Sequence, residues 1–158
     1  MSGRSLVRLF ACLVLCLGVG AAGGFFTAPE IPTWYAGLIK PSWTPPSWVF
    51  PVVWNILYAM MGVSLWLLWD RAAPGPSRTA AITAFFVQLV LNASWSPVFF
   101  TLHQVGLALA IIVLLAIAIA TTIAYAWRVQ RWAAWLLLPY LAWVSYASTL
   151  NAGIWWMN

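Results

Sequence analysis

The feature that most constrains this chain is a series of five apolar runs, each long enough to cross a lipid bilayer. The runs cover roughly Ser5 to Phe26, Trp48 to Trp69, Thr79 to Phe100, Val105 to Trp127, and Trp132 to Ile154. A membrane-spanning helix needs about 20 mostly apolar residues. Only 6% of the residues are charged, against about 25% in a typical soluble domain. We therefore predict an all-α integral membrane protein: one domain over residues 1–158, a five-transmembrane-helix bundle with the bilayer as its partner and no nucleic-acid role.

The first run has two interpretations. Arg4 and Arg8 precede an apolar stretch that ends in VGAAG, as in a cleavable signal peptide. The apolar run nevertheless continues through Phe25 and Phe26, which makes it long enough to span. We favour a retained first helix over cleavage.

The basic residues predict the orientation of the bundle. With five spans, the N-terminus and the turns at 70–78 and 128–131 share one side. Six of the seven basic residues lie there: Arg4, Arg8, Arg71, Arg78, Arg128 and Arg131. Because loops rich in Arg and Lys stay in the cytoplasm, we expect a cytoplasmic N-terminus, with the long first loop and the C-terminus outside.

Three runs carry large aromatic and polar residues on one helical face. The three stripes are Phe50, Trp54 and Tyr58; Gln88, Asn92, Trp95 and Phe99; and Tyr140, Trp143, Ala147 and Leu150. Polar side chains at membrane depth are costly without partners, so Gln88 and Asn92 should face the bundle interior. They could join helices by hydrogen bonds or contact a ligand; the sequence leaves both open.

The long first loop, residues 27–47, is expected to cap a pocket between these stripes. Its end reads KPSWTPPS, and such prolines reduce the entropy lost on ordering. Pro51, Pro97 and Pro139 are predicted to bend the aromatic-bearing helices. Flat aromatic walls with few polar groups favour a planar, mostly apolar ligand. Lys40 could pair with a ligand carboxylate or act as a solvated anchor.

Side chains for acid–base or metal chemistry are scarce. Glu30 and Asp70 are predicted to lie on opposite sides, and His103 is the only histidine. Cys12 and Cys16 are one turn apart without further ligands nearby in sequence, so we expect small packing residues and no metal site. Hydrolytic catalysis by protein groups has little to work with.

Four motifs resemble the TspO/translocator protein family of tryptophan-rich sensory proteins, also called peripheral-type benzodiazepine receptors. They are WYAGLIKPSW, PPSWVFPVVWNILY, QLVLNASWSPVFF and PYLAWVSYASTLN. The resemblance implies a homodimeric five-helix bundle that binds porphyrins such as protoporphyrin IX and haem, and small apolar drugs, with no obligatory cofactor. By motif it implies binding roles for Tyr35, Trp54, Asn92, Trp95, Trp143 and Ala147. Together with the stripes, the predicted ligand-binding set is Tyr35, Trp54, Tyr58, Gln88, Asn92, Trp95, Phe99, Trp143, Ala147 and Leu150.

The resemblance leaves the activity open among three alternatives. Porphyrin sensing is favoured, followed by light- and oxygen-dependent porphyrin degradation, in which Trp54 and Trp143 would be the catalytic residues. Transport is the third. Animal members carry a proposed sterol-recognition segment, but here Ala152 stands where its tyrosine is expected and Trp156 near the arginine position. This departure argues against sterol binding and fits a bacterial membrane.

Overall fold

The structure, a computed structural model, describes residues 2–158 and confirms five helices long and apolar enough to cross a membrane. The helices are α1 (Gly3–Thr27), α2 (Trp34–Gly37), α3 (Val49–Arg71), α4 (Pro76–Thr101), α5 (Val105–Val129) and α6 (Arg131–Met157). The short α2 lies inside the first loop, and the hydropathy pattern did not predict it. The other five match the predicted spans to within a few residues at each end.

The most extensive helix pairings are α1 with α3, α3 with α6, α6 with α5, α5 with α4, and α4 with α1, so the five form a closed ring in the order α1, α3, α6, α5, α4. Inside this ring, Tyr58, Met61, Phe85, Ile119, Tyr140 and Val144 belong to one buried cluster. The ring brings the stripes of α3, α4 and α6 to a common interior. It therefore positions Gln88 and Asn92 inward, as their polarity predicted.

The end of the ring that carries the arginines, called here the basic end, is built from small residues. Leu68, Ala81, Ala126, Ala133 and Ala134 pack together there, each fully buried. Small side chains let helix backbones approach closely. A buried hydrogen bond of 2.9 Å from Ser64 Oγ to the Ala133 carbonyl also joins α3 to α6.

The opposite, loop end is covered by the first loop, residues 28–48, which we call the roof. Trp34 of α2 lies edge-on to Phe99, with ring centroids 5.5 Å apart, and stacks on His103 at 4.1 Å. His103 also approaches Glu30 Oε2 at 3.2 Å. These contacts attach the first half of the roof to the end of α4 and the turn that follows it.

The second half of the roof is attached to α6. Tyr146 Oη donates to the Trp43 carbonyl at 2.7 Å, and Asn158 exchanges two hydrogen bonds of 3.0 Å with the backbone of Ile39. Pro41 packs directly on Gly153, where a Cβ would overlap the proline ring. The roof is thus attached to the bundle along both of its edges.

The prolines occupy different positions in their helices. Pro51 lies in the first turn of α3, where a backbone N–H has no intrahelical acceptor, so it removes no helical hydrogen bond there. Pro97 instead begins a π-helical turn, Pro97–Thr101, and a second such turn, Leu67–Arg71, ends α3. Pro139 lies inside α6.

Candidate ligand-binding site

A chain of four polar side chains crosses the interior at the centre of the ring. Tyr58 Oη donates to Asn92 Oδ1 at 2.5 Å, and Asn92 Nδ2 donates to Tyr140 Oη at 2.9 Å. Tyr140 Oη in turn donates to Gln88 Oε1 at 2.9 Å. All four side chains are buried. This polar network joins α3, α4 and α6.

The network ends on an unused donor. Gln88 is 1% exposed, and its Nε2 has no hydrogen-bond partner among the described residues. Leaving a buried donor unpaired costs about 1–3 kcal/mol. An acceptor brought by a ligand or a water would relieve this cost.

Trp54 covers the network from the α3 side. It lies one turn before Tyr58, which places the two rings 5.5 Å apart at 30°. Its indole also meets the Tyr140 ring edge-on at 6.2 Å. Because Trp54 is only half-buried, one part of the indole remains accessible beside the polar network.

Trp143 lies to one side of this centre. Its ring contacts Phe50 at 5.9 Å and Tyr146 at 5.5 Å, and its Nε1 is buried with no hydrogen-bond partner in residues 2–158. It lines a groove of about 490 Å³ between α3 and α6. The remaining lining residues are Val53, Ile56, Leu57, Met60, Pro139, Ala142 and Tyr146. Trp143 therefore stands between the interior and an apolar opening on the bilayer-facing surface.

Trp95 and Phe99 form a second aromatic group, closer to the loop end. Their rings stack at 5.0 Å and 23°. Trp95 Nε1 donates to Asn151 Oδ1 at 3.1 Å, and Asn151 Nδ2 donates to the Val105 carbonyl at 2.9 Å. Asn151 thus ties α4, α6 and the first turn of α5 together below the roof.

Tyr35 closes this second group from above. Its ring lies 5.6 Å from Phe100 and 6.4 Å from Phe99. Burial raises the pKa of the Tyr35 phenol, so the side chain stays neutral. Lys40 Nζ lies 4.6 Å from the Tyr35 ring centroid and donates to the Leu38 carbonyl at 3.1 Å. Lys40 therefore stabilises the roof through contacts within it.

The predicted site residues fall into three places. Trp54, Tyr58, Gln88 and Asn92 meet at the network, whereas Tyr35, Trp95 and Phe99 meet beneath the roof. Trp143 lines the lateral groove, Ala147 packs half-buried against the core, and Leu150 is buried in α6.

The predicted set omits two residues of evident structural importance, Tyr140 and Asn151. Both lie on or next to the α6 stripe, so helical periodicity already placed them on the inner face. What periodicity could not indicate is that Tyr140 bridges two side chains of α4.

Groups for metal binding do not assemble within residues 2–158, where no three His, Cys, Asp or Glu side chains come together. Cys12 and Cys16 are both buried in the interior cluster, as free thiols.

Comparisons with known proteins agree on one family. The model of the TspO/MBR family matches residues 12–157. The chain is 42% identical to "Tryptophan-rich protein TspO" of Archaeoglobus fulgidus over 98% of this chain and 99% of that protein. It is 40% identical to the human "Translocator protein" over 84% of this chain and 79% of that protein. A "Tryptophan-rich sensory protein" of Cereibacter sphaeroides is 34% identical over 90% and 87%.

Proposed function

Because this chain belongs to the TspO/MBR family, we propose that it is a ligand-binding sensory protein of the membrane. Its ligands are porphyrins, protoporphyrin IX and haem among them, and related planar apolar molecules. The site is the interior among α3, α4 and α6, under the roof.

One observation carries the proposal: the half-buried indole of Trp54 lies against a buried polar network that ends in an unpaired donor. The indole offers a flat face for stacking, and Gln88 Nε2 offers a directed hydrogen bond. Sites for apolar ligands typically combine large apolar surface with a few placed polar groups. The unpaired Trp143 Nε1 is a second such donor.

The ligand must displace side chains to enter, because the Trp54 ring already packs against the rings of Tyr58 and Tyr140. The lateral groove beside Trp143 supplies an apolar path from the bilayer. Rotation of Trp143 would join that groove to the network. Binding then moves aromatic side chains, and such a movement can be transmitted to the roof.

Tryptophan fluorescence quenching by protoporphyrin IX tests the proposal. Trp54→Phe and Trp143→Phe should each weaken binding by up to about twelvefold, since an aromatic pair contributes about 0.5–1.5 kcal/mol and the smaller phenyl ring keeps only part of the stacking surface. Trp132→Phe is the matched control, because Trp132 is 72% exposed at the other end of α6. Equal affinities in all three variants would contradict the proposed site.

Light- and oxygen-dependent porphyrin degradation is the second candidate function. It is favoured by the 5.5 Å separation of the Trp54 and Tyr58 rings. An indole that gives an electron to an excited pigment could be reduced again by the phenol beside it, and oxygen would accept the electron from the pigment. Loss of the Soret band under light and air should be faster with the wild type than with a Trp54→Phe/Trp143→Phe variant. Equal rates would indicate ordinary photobleaching and remove this candidate.

Orientation and assembly belong to the same proposal. We expect the basic end to face the cytoplasm, because it carries Arg4, Arg8, Arg71, Arg78, Arg128 and Arg131. A cysteine introduced at exposed Trp48 in a Cys12→Ala/Cys16→Ala background should react with an impermeant maleimide only from outside the cell.

Cross-linking in native membranes should show a homodimer; a monomer alone would exclude that assembly.

A further inference from the structure

A second groove lies at the basic end, and none of its lining residues belongs to the proposed porphyrin site. It has a volume of about 600 Å³ and lies among α1, the end of α3 and the start of α4. Cys12, Leu15, Leu65, Trp69, Ile82 and Phe86 form most of its apolar lining. Leu15, Trp69 and Phe86 are each at least 40% exposed, so the groove opens on the bilayer-facing surface.

The rim of this groove carries one positive charge, on Arg78. Arg78 Nε donates to the Leu68 carbonyl at 3.1 Å, and Nη2 donates to the Trp69 carbonyl at 2.5 Å. Both carbonyls belong to the π-helical last turn of α3. These bonds fix the guanidinium without neutralising it, and Nη1 has no acceptor among residues 2–158.

The acidic group nearest this rim, Asp70, already has other partners. Asp70 accepts from Ser5 Oγ at 2.7 Å and lies 3.0 Å from Arg8 and 3.3 Å from Arg71. Its charge is therefore shared by two other arginines. Arg78 is left without a carboxylate among the described residues.

The start of α4 adds two backbone donors at the same rim. The helix begins at Pro76 after Gly75, which supplies no side-chain cap, and has no acidic residue in its first turn. The N–H groups of Ser77 and Arg78 find no acceptor in the described chain. A helix N-terminus with free N–H groups attracts anions, and here it stands beside a fixed guanidinium.

We propose that this groove binds one anionic phospholipid, with the phosphate at Arg78 and the start of α4, and an acyl chain between α1 and α4. The volume is within the range of about 300–1,000 Å³ that is usual for ligand sites. Basic pockets between membrane helices are known to recognise anionic headgroups.

A second copy of the chain is the less suitable occupant. Copies inserted with the same orientation carry their basic ends at the same depth. Pairing two of these faces would bring Arg78 of each copy toward the other, and like charges across an interface oppose association. A phosphate supplies the charge that is missing there.

Native mass spectrometry of the full chain in detergent tests this inference, with dioleoyl phosphatidylglycerol and dioleoyl phosphatidylcholine as probes. The two lipids share their acyl chains and differ in net charge. The wild type should retain one phosphatidylglycerol in preference to phosphatidylcholine. Arg78→Gln should lower that preference about fivefold, the factor expected for one arginine near an anionic surface.

Matched variants make the result decisive. Arg128→Gln removes a charge from the same end but does not line the groove, and should keep the preference. Thr83→Trp fills the groove from an exposed position without touching the bonds of Arg78, and should abolish retention of both lipids. Thr121→Trp adds the same side chain to an exposed position of α5 and should have no effect.

Three outcomes would overturn the inference. Arg78→Gln and Arg128→Gln could lower the preference equally, or Thr83→Trp could retain lipid as the wild type does. A cysteine at position 83, in the Cys12→Ala/Cys16→Ala background, could also cross-link two chains in native membranes whatever lipid is present, which would assign the groove to a second copy. Porphyrin quenching is measured separately, so its failure leaves this test unaffected.

Discussion

The two halves of the ring hold their helices together in different ways. At the basic end, alanines and a leucine fill the space between α3, α4, α5 and α6, and the connections are the short stretches 72–75 and residue 130. At the loop end, aromatic rings fill the space, and one connection is the long roof. Backbones that touch through small residues have few alternative arrangements, whereas rings can rotate and exchange neighbours.

This difference indicates which half is fixed and which can respond. The proposed sensing role requires a part that moves on binding and a part that does not. The rings around Trp54 and the roof can move while the basic end keeps the ring of helices closed. The predictions below compare the two halves directly, beginning with the largest expected effect.

Gly62→Ala should destabilise the protein most. A Cβ at Gly62 would lie 2.9 Å from the backbone Cα of Leu13 and 3.2 Å from the Cys12 carbonyl oxygen. The obstacle is backbone, which cannot rotate away, so α1 and α3 must separate. We expect a loss of about 1–3 kcal/mol in the free energy of unfolding, measured by denaturant titration in detergent micelles.

Gly18→Ala is the matched control, because a Cβ there meets nothing within 4 Å. Replacing a helical glycine by alanine normally stabilises by about 0.5–1 kcal/mol. Gly18→Ala should therefore be neutral or slightly stabilising. If Gly62→Ala were equally harmless, the close approach of α1 and α3 would be refuted.

Gly20→Ala makes the same change against a ring instead of a backbone. Its Cβ would lie 2.5 Å from Cδ2 of Tyr58, so the phenol must turn away and its hydrogen bond to Asn92 lengthen. We expect a smaller loss of stability, about 1 kcal/mol after the helix-propensity gain. Porphyrin affinity should fall more than stability does, which quenching titrations on Gly20→Ala and Gly18→Ala would measure. A larger stability loss than that of Gly62→Ala would reverse the comparison.

Trp34→Ala should loosen the roof without unfolding the bundle. The substitution removes the stack on His103 and the edge contacts with Phe99 and Phe100. Such aromatic pairs contribute about 0.5–1.5 kcal/mol each. Amide hydrogen exchange in residues 34–44 should become about tenfold faster or more, while exchange in α5 stays unchanged. Trp48→Ala is the control, since Trp48 is 68% exposed; equal acceleration by both would mean that the roof does not depend on Trp34.

Much of this architecture could be predicted from the sequence, because membrane-spanning helices can be recognised from their local composition. The five spans, and the inward faces of Gln88 and Asn92, follow from run length and from the cost of polar groups in lipid. Helical periodicity also put Trp54 and Tyr58 on one face. The ligand roles of these residues remain predictions.

Other features depend on contacts between distant segments, which periodicity cannot specify. The local sequence shows which face of a helix points inward, but it does not show which helix lies next to it in the ring. Three such features involve segments that are far apart in the chain. They are the hydrogen bonds of Tyr140 to α4, the hydrogen bonds between Asn158 and Ile39, and the groove beside Arg78. The position of a proline in the sequence also does not show whether a helix loses a hydrogen bond, since Pro51 lies in a first turn, where a helix tolerates it.

The smallest expected effect comes from Tyr146→Phe, which removes a single hydrogen bond to the Trp43 carbonyl. A hydrogen bond contributes about 0.5–1.5 kcal/mol, so exchange in residues 41–48 should become about two- to tenfold faster. Exchange near Trp34 should not change, because that half of the roof is attached to α4. Tyr125→Phe is the control, since the Tyr125 hydroxyl makes no hydrogen bond to the described chain and the residue packs at the basic end. If Tyr146→Phe accelerated exchange across the whole roof, the two edges of the roof would open as one unit. A ligand at Trp143 could then release the entire roof at once, because Trp143 contacts Tyr146.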